Sequence, residues 1–400
     1  MISEAYVFID GLEAEPIICG LFKLNTAQRK GSFVYGKSYL AHPKAFAIDP
    51  LRLPLTDHTI TNTLNKGVFG VLADAGPDAW GKKLILGLHT TKPQNDLEYL
   101  LAGSGYGVGA ITFSLSKTAA KPKHNKNSMT QLSQLIRHKE LILQDQQLSD
   151  EAKKAFEFGQ SMGGARPKTQ ISDNGLVYLA KFNRPDDLFN VVRAEHATMS
   201  MARELGIETA NTRVETTPHG DVLLVERFDL DNGRPADHFL SANSIIQTRK
   251  VAEADLSGTY SYGQLAEFIR HKSAEPQQTT ELFKRMVFNV FIGNTDDHSR
   301  NHAMLYSLAT ARWCLSPAYD ITPVNSSAIH GIGIGEFGRL GTVENLLSQA
   351  SRFGLNAAQA KKIINETREY CRHWPKLFKT LANISTADLE RLKGVIPIKL

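Results

Sequence analysis

The spacing of apolar residues changes period several times along the chain. Over Leu282, Phe283, Met286, Val287, Val290 and Phe291 it follows one face of a helix and predicts a buried helix over 278–293. Similar spacing predicts helices over 129–144, 190–205, 261–271, 342–352 and 357–378, with a shorter piece around 80–85. Elsewhere the apolar runs are short and rich in β-branched and aromatic residues. These predict strands at 5–9, 32–35, 168–172, 176–181, 212–215, 222–226, 303–306 and 313–315. Asp173-Asn174-Gly175 between two such runs predicts a hairpin turn, because Asn-Gly takes the positive φ angles that tight hairpins need.

These elements divide the chain unevenly. Residues 1–115 mix short strands with Pro and Gly breaks. Residues 116–128 lack large apolar side chains and read as an exposed basic linker. Residues 129–235 give a strand pair, a helix and a second strand pair, and 236–400 read mostly helical. No internal repeat is visible. A length of 400 residues exceeds one ordinary core and predicts two or three folded units. Hydrophobic content of 42% and charged content of 22% are those of a soluble globular protein, and no apolar run approaches a membrane span. Met1-Ile2-Ser3-Glu4 has no signal-peptide pattern, and the three scattered cysteines argue against a disulfide framework. Both point to a cytoplasmic location. The net charge of +5 fits ATP, nucleic acid or an acidic protein and selects none of them.

Candidate chemistry sits just after the predicted 278–293 helix. There Gly293-Asn294-Thr295-Asp296-Asp297-His298-Ser299-Arg300-Asn301 forms a polar loop, and Tyr319-Asp320 follows the next strand pair. An Asp, an Asn five residues on and a second Asp nineteen residues beyond it suit Mg-assisted phosphoryl transfer. The first carboxylate orients and deprotonates an acceptor hydroxyl, while the amide and the second carboxylate hold Mg2+ against ATP phosphates. Asp297 places a second carboxylate beside Asp296, and the five-residue spacing to Asn301 favours Asp296 as the base.

Four upstream features occur in the order an ATP-binding lobe requires. Ser161-Met162-Gly163-Gly164-Ala165-Arg166-Pro167-Lys168 is a candidate phosphate loop, where paired glycines let backbone N–H groups approach the ligand. Lys181 ends an apolar strand within reach of phosphates, although a strand-end lysine reaching water has the same pattern. Glu195 on the following helix is placed to pair with Lys181. Val225-Glu226-Arg227-Phe228-Asp229 stands where a hinge would meet adenine.

Taken together, these stretches resemble the HipA family of serine/threonine kinase toxins from bacterial toxin–antitoxin systems. The resemblance runs from Phe69-Gly70-Val71-Leu72 and Asp78-Ala79-Trp80-Gly81-Lys82-Lys83-Leu84-Ile85 through the phosphate loop, hinge and catalytic loop. It implies an α+β, protein-kinase-like, two-lobed fold, with a mixed α/β N-terminal subdomain and a mostly helical C-lobe. Carried over by position, it implies that Asp296 is the catalytic base and that Asn301 and Asp320 bind Mg2+. Gly163, Gly164, Ala165, Lys168, Lys181 and His298 would meet the nucleotide, and Glu226 and Phe228 would bracket adenine. Ser161 matches the loop serine that the family autophosphorylates. A phosphate there would compete with the phosphates of ATP. The implied cofactors are ATP and Mg2+. The implied partners are a small DNA-binding, HipB-like antitoxin and a protein substrate such as an aminoacyl-tRNA synthetase. DNA would be reached only through the antitoxin.

Other motifs weigh less. Gly103-Ser104-Gly105-Tyr106-Gly107-Val108-Gly109 looks like a nucleotide loop, but no helix follows to present its N-terminus, so it reads as a turn. Gly331-Ile332-Gly333-Ile334-Gly335 is similarly bland. His298 and His302 have zinc-helix spacing without the intervening glutamate, and no nucleophile elbow is present. Two rival functions remain: a small-molecule phosphotransferase of the antibiotic-kinase kind, which shares the Asp-to-Asn loop, and a non-catalytic DNA-associated subunit.

Overall fold

The computed structural model describes residues 2–122, 127–143, 156, 166–246, 260–324 and 328–397. Alternating side chains along the first strands build a sheet with a buried face carrying Val7, Phe22 and Phe33. Glu4–Ile9 (β1), Ile17–Asn25 (β2), Lys30–Tyr35 (β3), Ile60–Asn62 (β4) and Ile111–Ser114 (β5) pair antiparallel in the order β4-β3-β2-β1-β5. Between β4 and β5 run the helices Gly70–Asp74, Ala79–Leu88 and Asp96–Ala102. The middle one starts where it does because Asp78 caps it, accepting from the Gly81 amide at 2.8 Å.

A second sheet takes Asn127–Ser128 (β6), Lys168–Asp173 (β7), Leu176–Phe182 (β8), Thr212–Thr217 (β9) and Gly220–Glu226 (β10) in the order β6-β7-β8-β10-β9. Strand β6 runs parallel to β7, so the last two residues of the expected linker belong to the sheet. The β7–β8 turn uses Asn174 at φ 49 and Gly175 at φ 83, the pair of left-handed residues that an Asn-Gly hairpin supplies. The helix Val191–Glu204 crosses between β8 and β9, and Asn190 caps it by accepting from the Arg193 amide at 3.1 Å.

Both faces of this sheet are covered, which explains the unbroken apolar run in β10. Tyr178, Ala180, Phe182, Val222 and Leu224 face an outer cluster with Trp80, Leu84 and Phe156. Leu223 and Val225, with Leu179, face the main core instead. The period of two puts Lys181 on that inner face, with Lys168 directly across from it in the β7–β8 register.

Leu230–Asp231 (β11) and Arg234–Pro235 (β12) form a small ribbon that leads into the third sheet. That sheet joins Asp237–Ser241 (β13), Ala303–Ser307 (β14) and Arg312–Leu315 (β15). Helices Ala242–Ile246, Tyr262–Lys272, Gln278–Ile292, Val343–Ser348, Ala357–Cys371, Trp374–Ala382 and Thr386–Leu392 complete the chain. Gln278–Ile292 is the central core helix. It ends at Gly293 (φ 74), where an added Cβ would lie 2.9 Å from the Val395 carbonyl oxygen. Two expected helices are shorter than their apolar spacing implies. The helix expected over 357–378 breaks at Arg372 and His373, because Pro375 suits the first turn of a new helix but not an interior. The one expected over 342–352 is a six-residue helix followed by the 3-10 turn Ala350–Phe353.

One core cluster joins the first sheet to the C-terminal helices. Phe46 stacks on Tyr306 at 4.3 Å, His238 Nε2 donates to the Ile48 carbonyl at 2.8 Å, and Arg52 donates to the Ser244 carbonyl at 2.7 Å. Among the described residues no helix is long and apolar enough to cross a membrane.

Candidate active site

The polar loop after Gln278–Ile292 is held by buried side chains. Asp297 is 1% exposed; it accepts from His302 Nε2 at 2.7 Å and from the Tyr262 hydroxyl. Asn289 donates to that hydroxyl at 3.0 Å, and Asn294 donates back to Asn289 at 3.1 Å. Burial alone would raise the Asp297 carboxyl, but His302 and Tyr262 outweigh it and hold it below the ordinary range. Asp297 is therefore a brace of the loop. Its neighbour Asp296 is exposed and does not line the wall of the cleft described below. Its carboxyl is raised, chiefly by partial desolvation, then by Asp320 and Asp297, against the pull of His298 and Arg166. A solvent-reaching carboxylate with a raised pKa suits a general base better than a buried, doubly bonded one does. Asn301, largely buried, donates to the Asp296 backbone carbonyl at 3.5 Å.

Strand β8 and the helix Val191–Glu204 bring the first cation to this loop. Lys181 Nζ donates to Glu195 Oε1 at 2.6 Å and to Asp320 Oδ1 at 2.6 Å. The side chains of Lys181 and Glu195 are 11% and 4% exposed, whereas that of Asp320 is 42% exposed and opens outward. Burial would lower the Lys181 ammonium, yet Asp320 and Glu195 hold it raised. Asp320 responds in kind: Lys181 and Lys168 overcome burial and bring its carboxyl down to about 2. Asp320 also holds a left-handed backbone at φ 60, a conformation uncommon outside glycine and frequent at functional sites. The Thr198 hydroxyl bonds the Ile321 carbonyl just beyond it, tying the helix to the segment that carries Asp320.

Around these groups lies a cleft of about 650 Å³. It is lined by Lys168, Leu179, Lys181, Val225 and Glu226 of the second sheet and by Arg227, Phe228 and Asp229 just beyond β10. His298, Asn301, Tyr319 and Asp320 line it from the C-terminal half of the chain. Phe228 lies against the Tyr319 ring, 5.6 Å between centroids, and the Tyr319 hydroxyl donates to the Arg300 carbonyl at 2.8 Å. Lys168 is almost fully buried beneath Asp78, 3.8 Å away, and burial lowers its ammonium. The Trp80 indole N–H donates to the Lys168 carbonyl at 3.0 Å, so the Ala79–Leu88 helix fixes that end of β7.

The cleft thus brings together Lys168, Lys181, Glu226, Phe228, His298, Asn301 and Asp320, with Asp296 beside it. Ser161, Gly163, Gly164 and Ala165 lie outside the described residues. Sequence reasoning did not foresee two sets of contacts at or near the site. Arg166 forms a two-point pair with Asp187 at 2.7 and 2.9 Å. Asp74 lines the cleft and accepts from the Ser241 amide, the Ser241 hydroxyl and the Ser244 hydroxyl at 2.9, 2.6 and 2.8 Å. Burial raises the Asp74 carboxyl to about 6 despite those bonds. No spacing in the sequence announces these pairs, since their partners are 21 to 170 residues away.

The donor set fits a hard divalent cation. An amide and an outward-facing carboxylate are oxygen ligands, and Mg2+ is commonly held by one or two such groups plus phosphates. Among the described residues no group of three His, Cys, Asp or Glu side chains forms a self-sufficient metal cage.

Residues 160–374, more than half of the chain, match the HipA-like C-terminal domain. The chain belongs to the HipA family. Residues 18–114 match the HipA N-terminal domain. Over 97% of this chain and 95% of the other, the structure superposes on a chain of the HipA, HipB and operator DNA complex of a Shewanella oneidensis MR-1 toxin–antitoxin system. The TM-score is 0.72 and the identity 17%. The fold is therefore α+β, two-lobed and protein-kinase-like. A Haemophilus influenzae protein provisionally named as a kinase is 28% identical over 186 residues, 42% of this HipA-family chain and 53% of that protein. The chain spans about half the length of that curated relative. The Helicobacter pylori proinflammatory kinase CtkA overlaps more loosely, at a TM-score of 0.40 and 14% identity over 58% of this chain and 92% of that one.

Proposed function

We propose that this chain is an ATP-dependent serine/threonine protein kinase that serves as the toxin of a toxin–antitoxin module. The observation that supports it most is the bridge from Lys181 to Glu195 on one side and Asp320 on the other. A strand lysine paired with a helix glutamate, and an aspartate of the other lobe within reach to hold Mg2+, are parts that phosphoryl transfer uses; here Lys181 bonds that aspartate directly as well.

Each residue then has a definite task. Lys181 and Lys168 draw phosphate oxygens to the inner face of the β-lobe. Phe228 packs on adenine, and the hinge backbone at Glu226 meets its edge. Asn301 and Asp320 would hold Mg2+; bound Mg-ATP supplies the phosphoryl group and the charge that neutralises it. Asp296 accepts the proton of the acceptor hydroxyl and orients its oxygen. Asp297, through His302 and Tyr262, keeps Asp296 and Asn301 in place. His298 stands on the cleft wall toward the nucleotide. The phosphate loop at Gly163, Gly164 and Ala165 would cover the phosphates, with Ser161 as its autophosphorylation site.

In this reading residues 1–115 are the HipA-type N-terminal subdomain and 116–128 a basic linker whose end joins the sheet. Residues 129–235 are the nucleotide lobe and 236–400 the catalytic lobe. The acceptor is a protein of the translation apparatus, such as an aminoacyl-tRNA synthetase. A small DNA-binding antitoxin neutralises the chain in the cytoplasm and carries it to DNA.

The test is intact-mass and phosphopeptide analysis after incubation with Mg-ATP, comparing the native chain with Asp296→Asn. The expected result is one phosphate on Ser161, absent in the variant. Transfer to an aminoglycoside-type hydroxyl, with none to protein, would move the assignment to a small-molecule phosphotransferase.

A further inference from the structure

Arg227 stands between Glu226 and Phe228 and lines the cleft with them, while its guanidinium is taken up by Asp229, Gln170 and the 103–109 stretch. It is 9% exposed and uses its guanidinium on four partners. Nε and Nη2 grip Asp229, the former at 3.0 Å. Nη1 donates to Gln170 Oε1 at 3.0 Å and to the Tyr106 carbonyl at 3.2 Å; Nη2 donates to the Gly107 carbonyl at 2.9 Å. Gln170, fully buried in β7, donates to the same Tyr106 carbonyl at 2.8 Å, and Asp229 accepts from the Gly109 amide at 2.7 Å. The glycine-rich stretch 103–109 is therefore a receptacle for the hinge, built from carbonyls aimed at one guanidinium and one amide aimed at its counter-ion.

The glycines are required by this fit. A Cβ on Gly107 would lie 2.6 Å from the Ala75 carbonyl oxygen. One on Gly109, whose φ is +71, would lie 2.6 Å from the Phe239 amide nitrogen. Ala75 follows the helix Gly70–Asp74, and Phe239 is a cleft-lining residue of β13. The loop is thus wedged among the hinge, the third sheet and the end of the helix that carries Asp74.

We propose that Arg227 is a positioning residue for nucleotide binding. It clamps the hinge to the 103–109 loop, so the first subdomain sets the geometry of the adenine end of the cleft. The inference rests on the nucleotide reading of that cleft. Lysine cannot reproduce a five-donor planar fork at such a site, so Arg227→Lys removes the clamp while keeping the charge.

The experiment is calorimetric titration of the full chain with Mg-ATP, with steady-state turnover and melting temperature on the same samples. Tyr35→Phe is the control. It removes buried hydrogen bonds to the Leu53 carbonyl and the Ile48 amide, at 2.6 and 3.1 Å, inside the first sheet and away from the hinge. Arg227→Lys should weaken Mg-ATP binding about 10-fold and leave turnover at saturating ATP within about 2-fold, the signature of lost ground-state binding. Tyr35→Phe should lower the melting temperature without changing affinity. Wild-type affinity in Arg227→Lys, or an equal loss in Tyr35→Phe, overturns the clamp while leaving the nucleotide site standing. No binding of Mg-ATP by the native chain overturns the nucleotide reading and the clamp with it. Hydrogen exchange on the native chain needs no variant to fold. Saturating Mg-ATP should slow exchange of peptides covering 103–109, and unchanged exchange there contradicts the proposal.

Discussion

Asp296 and Asp297 are adjacent carboxylates with opposite surroundings, and the difference assigns them different work. Asp297 is buried between His302 and Tyr262, so Asp297→Ala strands a histidine and a phenol in the interior. The expected cost is roughly 3–5 kcal/mol in urea unfolding, the range for removing one partner of a buried pair. Asp296→Asn, at an exposed position, should leave the unfolding midpoint nearly unchanged. Asp74 supplies a pH signature of its own. Its carboxyl is raised from 3.8 to about 6 in the fold, so the folded state holds a proton that the unfolded chain gives up. The stabilising contribution is complete below about pH 4 and is lost as pH rises through about 6, an effect of at most about 3 kcal/mol. Unfolding free energies measured from pH 4 to 7 should show Asp74→Asn lacking this fall, whatever its absolute stability. A parallel pH profile for native chain and variant would contradict the assignment.

The elements that were legible in advance are those whose cause is local. Asn174-Gly175 made its hairpin because the turn needs two left-handed residues and the sequence provides them. Lys181 at the end of an apolar strand and Glu195 on the following helix were legible as a candidate pair; that Lys181 turns inward rather than to water follows from which face of β8 the core covers. The helix expected over 357–378 divided because apolar periodicity continued across Pro375 while the backbone hydrogen bonds could not. The 103–109 stretch was legible as a turn, but its contact with Arg227 was not, since that contact spans about 120 residues and leaves no local pattern. The same holds for Trp80, whose indole reaches β7 across 88 residues. Trp80→Phe removes that donor and some ring volume from the outer cluster. It should cost about 1–3 kcal/mol and weaken ATP binding through Lys168, as thermal melts and titration would show. An unchanged affinity would separate Trp80 from the site.

The whole molecule is organised around a cleft that no single segment builds. Its walls take Lys168 and Lys181 from the second sheet, Asn301 and Asp320 from the C-terminal half, and Asp74, Asp78 and Tyr99 from the first subdomain. The main core is equally shared, since the Phe46–Tyr306 stack and the bonds from Arg52 and His238 cross from the first sheet into the third sheet and its helices. A chain without residues 2–114 should therefore fail to show a cooperative melt, and the full chain should unfold its first and third sheets in one transition. A calorimetric scan with a separate early transition for the first sheet would contradict a shared core.

The most direct test of the cleft as a phosphoryl-transfer site is turnover of Mg-ATP by Asp296→Asn beside Mg-ATP affinity measured on the same sample. The account predicts native-like affinity with turnover reduced by about 10²–10⁴-fold, the usual contribution of a general base. Turnover close to that of the native chain would contradict it and return the choice of base to the rest of the loop.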